Sequence, residues 1–180
     1  GIVRYDGYRT KVYDFGNENI LNAGAYTFLE DKDGKLWAGT ENNGLLYYDR
    51  GSDNFVRYEP AIGNKLSNST ISQILEGVKQ ELWVISMDQK NQWFYLDKIS
   101  LKTGIISHYS FFEKGNHHID ATILGNMILT KNGKLWMGTN NGFYEYDPVK
   151  DSFTGHNTSK DLMAQKRYYS LLEDPLTAGV

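Results

Sequence analysis

The chain has 180 residues, a formal net charge of −3, 40% hydrophobic and 14% aromatic residues, and no cysteine. That length suits one domain with a sizeable core, and the lack of cysteine excludes disulfides and thiolate chemistry. No basic cluster offsets the acidic balance, which argues against nucleic acid as a partner, and no apolar run is long enough to cross a membrane as a helix.

Thirteen Tyr, eight Phe and four Trp against three Pro favour strands. The chain opens on GIVRYD, Gly1 to Asp6, an apolar-aromatic run ending in Asp. After an irregular stretch, Phe15 to Gly24, comes YTFLED, Tyr26 to Asp31. The Asp33-Gly34 pair then predicts a tight hairpin, which needs positive φ, leading into KLWAGT, Lys35 to Thr40. A short polar loop, Glu41-Asn42-Asn43, precedes GLLYYD, Gly44 to Asp49, which repeats the opening phrase. NFVRYEP, Asn54 to Pro60, and a long loop, Pro60 to Ser69, complete the unit.

The order then starts again. ISQILEG, Ile71 to Gly77, has apolar Ile71, Ile74, Leu75 and Val78 at helical spacing behind a capping Ser. Its place in the repeat makes it a strand instead. Leu82-Trp83 follows, then an extended loop, Asp88 to Gln92, and QWFYLD, Gln92 to Asp97. Aligned with GLLYYD, this last phrase puts Trp93 at the place of Leu45, and Asp97 at a turn position with Asp6, Asp31, Asp49, Asp147 and Asp174. Thr103-Gly104 punctuates the next turn, and the loop Ser110 to Ile119 follows. The third unit carries Asn132-Gly133, Leu135-Trp136, the loop Asn140-Asn141, GFYEYD (Gly142 to Asp147) and the turn Asp147-Pro148. After the loop Gly155 to Arg167, YSLLED, Tyr169 to Asp174, repeats YTFLED.

The tryptophans of the repeated pair stand 46 and 53 residues apart. Four short strands per unit of that size read as propeller blades, with strands a to d in each. The fold class expected is all-β, with β-propeller blades of four antiparallel strands forming an incomplete ring of about 3.75 blades that starts at strand c and ends at strand a. The boundaries are 1–23 for the end of a blade and its loop, 24–68, 69–119 and 120–167 for three blades, and 168–180 for the first strand of the next. Such an arc leaves edges and faces bare. It reads as part of a longer chain, whose remainder is the expected partner. Closure by pairing with a second copy, a homodimer, is the runner-up, and a small self-closed ring comes last.

The signature EDKDGKLWAGTENNGLLYYD, followed by DNFVRY, a polar loop, LSNSTISQILEG and LW again, resembles the two-component regulator propeller repeat. The opening GIVRYDGYRTKVY is similar to the end of a first blade in such sensors. In the second blade the usual Gly-Thr is replaced by Ile85-Ser86. The resemblance implies a periplasmic sensor region of a Bacteroidetes hybrid histidine kinase, recognising breakdown products of complex glycans. It implies an oligosaccharide ligand, no cofactor, no direct membrane contact in this part and no enzyme activity, although the parent protein would be a histidine kinase.

The residues themselves leave catalysis without a constellation. The repeated Trp residues read as wedges between blades, since burying an aromatic dominates core energetics. Glycoside hydrolysis needs paired carboxylates, but the acids fall at turns, where hydrogen bonding to nearby backbone accounts for them. No Ser-His-Asp arrangement emerges from spacing. His117-His118 near Asp120 makes a poor chelate, because neighbours on an extended chain point to opposite sides, so no metal is expected. The d–a and b–c loops share one face and are rich in Asn, Gln, His and Asp. Carbohydrate sites pair planar polar groups with an aromatic. The ligand-binding candidates are therefore Asn42, Asn43, Asn91, Gln92, Trp93, His117, His118 and Asn141. Two readings from other classes stay open: a propeller scaffold for protein–protein contact or dimerisation without a small ligand, and a glycoside hydrolase or lyase fragment.

Overall fold

A computed structural model describes residues 1–13, 24–61, 63–110, 124–140, 142–156 and 170–174. Among these the chain is all-β, with no helix. The first two strands, β1 (Ile2–Tyr5) and β2 (Thr10–Tyr13), pair as a hairpin. Three antiparallel meanders of four strands follow. The first holds β3 (Ala25–Glu30), β4 (Leu36–Thr40), β5 (Leu45–Asp49) and β6 (Asn54–Arg57). The second holds β7 (Ile71–Glu76), β8 (Glu81–Asp88), β9 (Trp93–Ser100) and β10 (Ile106–Tyr109). The third holds β11 (Leu124–Leu129), β12 (Leu135–Thr139), β13 (Gly142–Asp147) and β14 (Ser152–His156). These are propeller blades, and the described sheets close no ring. The turns obey the predicted chemistry: Gly34 and Gly133 have φ of 76° and 80°.

The alternation of side chains across a strand explains the stacking. In β4, Leu36 and Ala38 face the β1–β2 hairpin and join Ile2, Tyr13, Leu46 and Phe55. Trp37, one residue out of phase, faces the second meander and packs with Ile71, Ile74, Leu82 and Ile99. Trp83 repeats the role one blade later, against Met127, Leu135 and Tyr144. Trp37 and Trp83 are each 1% exposed, as expected of wedges. Gly39 serves this approach directly. A Cβ there would lie 2.6 Å from Ile71 Cγ2 and from Thr27 Cγ2.

Local helical spacing at Ile71 to Val78 loses to tertiary pairing. Ile71–Glu76 runs antiparallel to β8, and Ile71 and Ile74 are buried toward Trp37. Each inner strand also carries a register shift at the same place, between Ala25 and Thr27, Ile71 and Gln73, and Leu124 and Met127. The bulge frees a side chain to reach the next blade. Gln73 Nε2 donates to Met127 O at 2.9 Å, and its Oε1 accepts Met127 N–H at 2.8 Å. Asn126, at the same register one blade on, does the same to Leu171, with distances of 3.0 and 2.5 Å. A second kind of link also occurs at two junctions, one of which it shares with the first. Glu76 accepts the Lys32 backbone N–H at 2.9 Å, and Glu173 accepts that of Lys131 at 3.0 Å. Ser170–Asp174 has no strand pairing of its own among the described residues, yet these two links hold it in the place of a further inner strand.

Charge adds a third kind of link at the turn end of the sheets. Asp53 and Asp151 occupy the same left-handed turn position, each with φ of 50°. Asp53 meets Arg4 at 3.4 Å and Lys11 at 2.6 Å from the preceding hairpin. Asp151 is bound by Lys98 of the preceding blade and by the hydroxyls of Tyr109 and Tyr146 at 2.7 and 2.5 Å. Burial works to raise the Asp151 pKa, but those hydrogen bonds prevail and hold it at about 2.

The second blade corrects the sequence alignment. Gly39 pairs with Leu45 in the first blade and Ile85 pairs with Leu96 in the second, so Leu96, not Trp93, stands at Leu45's place. The strands β8 and β9 are eight residues each, and Trp93 lies at their extended end opposite Asp88. Asp97 is correspondingly not a turn residue but a fully buried one within β9.

The inner-strand clamp should have measurable weight. Gln73→Ala removes both hydrogen bonds to Met127 and leaves that backbone unpaired, so it should cost about 1–3 kcal/mol in denaturant unfolding. Replacing exposed Lys102 by Ala should change little.

Candidate functional site

The b–c and d–a connections emerge at one end of the first blade and enclose a cavity of about 350 Å³. Its floor comes from Asn43 and Leu45, one wall from Arg57 and Tyr58 at the end of β6, and the other from the loop 63–69. The b–c turn is tied down: Thr40 Oγ1 donates to Gly44 O at 2.8 Å and accepts the Asn43 N–H at 2.9 Å. Gly44 N–H in turn donates to Ser69 O at 2.9 Å, joining the two loops. Tyr58 packs edge-on to Trp37, with centroids 5.4 Å apart, and burial raises its hydroxyl pKa.

The polar groups converging here are mostly donors. Asn43 is 9% exposed, and its Nδ2 has no hydrogen-bond partner among the described residues. Asn68 Oδ1 accepts the Thr70 N–H at 3.0 Å, and Asn64 Oδ1 accepts the Ile106 N–H at 3.3 Å. Those bonds fix the carbonyl ends inward and leave the amide nitrogens as donors. The Arg57 guanidinium at the rim has the same sense. Such an arrangement suits a ligand rich in acceptor oxygens.

The far side of loop 63–69 is pinned by Asp97. Ser67 donates from its N–H at 2.7 Å and from its hydroxyl at 2.6 Å to this carboxylate, and His108 Nδ1 reaches the same oxygen at 2.7 Å. Ser, His and Asp thus meet, which their spacing did not suggest. They do not make a nucleophile. A catalytic serine gives its proton to the ring nitrogen opposite the one that the carboxylate holds. Here the serine hydroxyl and the carboxylate crowd one ring nitrogen, with Ser67 Oγ 3.1 Å from His108 Nδ1. The cluster fastens the loop.

Of the sequence-derived candidates, Asn42 and Asn43 line the cavity. Asn91, Gln92 and Trp93 do not; Asn91 and Gln92 lie in the β8–β9 turn, where Asn91 Nδ2 is spent on Asp88 at 2.7 Å and Gln92 is left-handed with φ of 56°, and Trp93 opens β9. Trp93 is 47% exposed. His117, His118 and Asn141 lie outside the described residues. Sequence reasoning missed Arg57, Tyr58, Asn64 and Asn68. The last two stand in the loop already marked as long and polar, whereas Arg57 and Tyr58 were absorbed into strand d, and only their place at its loop end could have marked them.

The family comparison falls on the first blade. Residues 19–42 match the model of the two component regulator propeller. The matched stretch contains β3, β4 and Asn42 of the cavity. No curated protein matches. Among solved structures, the extracellular domain assigned to a hybrid two component system, BT3049, from B. thetaiotaomicron is 17% identical, with a TM-score of 0.39 over 86% of this chain and 27% of that one. The extracellular domain assigned to a one component system, BT4673, from the same organism is 16% identical, with a TM-score of 0.31 over 76% of this chain and 24% of that one. The chain spans about a quarter of the length of these solved domains.

The Asp97–His108 contact makes the loop anchor pH-dependent. The hydrogen bond to Asp97 raises the His108 pKa, with burial opposing it. A raised folded-state pKa means that the stabilisation is complete below the unfolded value of about 6.5 and is lost as pH rises through the folded one. Unfolding midpoints in denaturant should therefore fall as pH rises above about 6.5, and His108→Ala should flatten that fall.

Proposed function

We propose that the chain is part of the extracytoplasmic sensing propeller of a two-component regulator, lying in the periplasm, and that the loop-side cavity of its first blade takes a glycan-derived oligosaccharide. The match at residues 19–42 supports the regulator reading. The observation that carries the ligand reading is Asn43. A buried amide N–H₂ without a partner costs stability of order 1–3 kcal/mol, and its persistence at the floor of a 350 Å³ cavity is explained if a ligand oxygen completes it. Asn64, Asn68 and Arg57 would add donors, and Tyr58 an aromatic wall. Hydroxyl and ring oxygens of a sugar match that donor-rich lining.

A second reading has an observation of its own. Val3, Tyr5 and Val12, on the face of the β1–β2 hairpin turned away from the first blade, are 55%, 69% and 65% exposed. Their counterparts Leu46 and Tyr48 are covered by the preceding sheet. The bare face fits the remainder of the propeller in the same chain, or a second copy of it.

Calorimetric titration with a panel of neutral and acidic plant and host oligosaccharides tests the ligand reading. Binding should appear for at least one class, and Asn43→Leu and Arg57→Ala should each weaken it about tenfold or more, equivalent to ~1.4 kcal/mol. No heat across the panel, from protein whose fold is intact by circular dichroism, would favour the scaffold reading.

A further inference from the structure

At the turn between its first two strands the second blade departs from the first, and a cavity lies beside that turn. In the first blade the buried Asp31 carboxylate accepts the Trp37 indole N–H at 2.8 Å and the backbone N–H groups of Asp33 and Lys35 at 3.0 and 2.9 Å. The register puts Gly77 at Asp31's place and Trp83 at Trp37's, since Leu75 pairs with Trp83 as Leu29 pairs with Trp37. The turns close alike, Gly77 N–H to Glu81 O at 2.8 Å and Asp31 N–H to Lys35 O at 3.0 Å. At the register where Trp37 finds a carboxylate, Trp83 finds a residue without a side chain. Trp83 is 1% exposed, and its indole N–H has no hydrogen-bond partner among the described residues.

Gly77 and Trp83 both line a cavity of about 260 Å³ between the second and third blades, at the turn end of the sheets and so opposite the loop-side cavity. The seam there has changed character. At the first junction Lys32 and Glu76 join across it; here Val78 and Leu129 hold those two register positions and form apolar walls with Pro148. Four charged groups also line the space: Lys79, Glu81, Lys98 and Asp151. Glu81 folds over the bare glycine, its Oε1 2.6 Å from where a Cβ would stand. Lys98 and Asp151 face it as a pair already joined to each other.

We propose that this cavity binds an uncharged, hydroxyl-bearing ring, a sugar or cyclic polyol, one of whose oxygens accepts the Trp83 indole N–H. The volume exceeds that of several waters, each of which takes about 30 Å³. With two carboxylates against two ammonium groups the lining has no net charge to favour either an anion or a cation. A hydroxyl both accepts from Trp83 and donates to Glu81, while the C–H faces of a ring suit Val78, Leu129 and Pro148. The site stands apart from the loop-side cavity and does not depend on its reading.

The test follows the Trp83 indole N–H by NMR in the ¹⁵N-labelled protein during titration with myo-inositol, methyl glucoside, methyl galactoside and galacturonate. A neutral probe should shift that resonance downfield and saturably. Val78→Phe, at the exposed rim, should weaken the response roughly tenfold. Gly77→Asp/Glu81→Lys copies the first blade; it should shift the indole resonance without ligand and abolish the titration. Asn43→Leu should leave the titration unchanged, which keeps failure here distinct from failure of the loop-side site. A Trp83 resonance indifferent to every probe, a response to galacturonate alone, or a response undiminished by Val78→Phe would overturn the proposal.

Discussion

Each four-stranded sheet here has two apolar faces, and one such sheet covers neither by itself. The constraint is visible within five residues: in Leu36–Thr40 the alternation sends Leu36 and Ala38 to one neighbour and Trp37 to the other. Every other feature of the arc follows from the need to bring a further sheet against that tryptophan. Gly39 clears space for Ile71, and the bulges of the second and third inner strands each release an amide to hold the next. As in other repeat architectures, stability then resides in the interfaces between units as much as in the units.

Three links recur along the stack, and their recurrence makes the exceptions informative. The amide clamp joins the second blade to the third and the third to Ser170–Asp174. The Glu–backbone link skips the middle junction, where Leu129 stands at the register of Glu76. The Asp31–Trp37 bond exists in the first blade alone, because Gly77 and Thr130 replace the aspartate in the others. In a chain built from one repeated solution, a unit that gives up a buried hydrogen bond has lost stabilisation that the first blade keeps. Both cavities considered above border an amide or indole nitrogen left without a partner.

Much of the fold was legible in the sequence because its signals are periodic. The Leu-Trp pairs, the turn glycines and the phrase ending in Tyr-Asp mark strands b and c, and the wedge role of Trp37 and Trp83 follows from their fixed phase. The alignment failed in the second blade. Its strands run two to three residues longer, so QWFYLD looks like GLLYYD while Leu96 occupies the core position of Leu45. That slip also disguised Asp97, a buried anchor that reads in sequence as one more turn acid. Strand β11 carried no phrase at all: LGNMIL pairs because of where β12 lies, not because of a local pattern. For the candidate site, the loop asparagines Asn42 and Asn43 could be named from composition and topology. Arg57, Tyr58, Asn64 and Asn68 could not, since their convergence depends on how the loop folds back over Leu45.

The clamps between blades have a direction. Gln73 and Asn126 reach forward with side chains, and Met127 and Leu171 answer with backbone, so the leading and trailing surfaces of a blade are different in kind. A twofold axis brings like surface to like, so two copies of this arc paired in that way would not reproduce the amide clamp. The clamp forms only leading surface to trailing surface, a heterologous contact that either closes on itself or continues without limit. The polarity of two amide side chains thereby bears on whether such a protein circularises or polymerises.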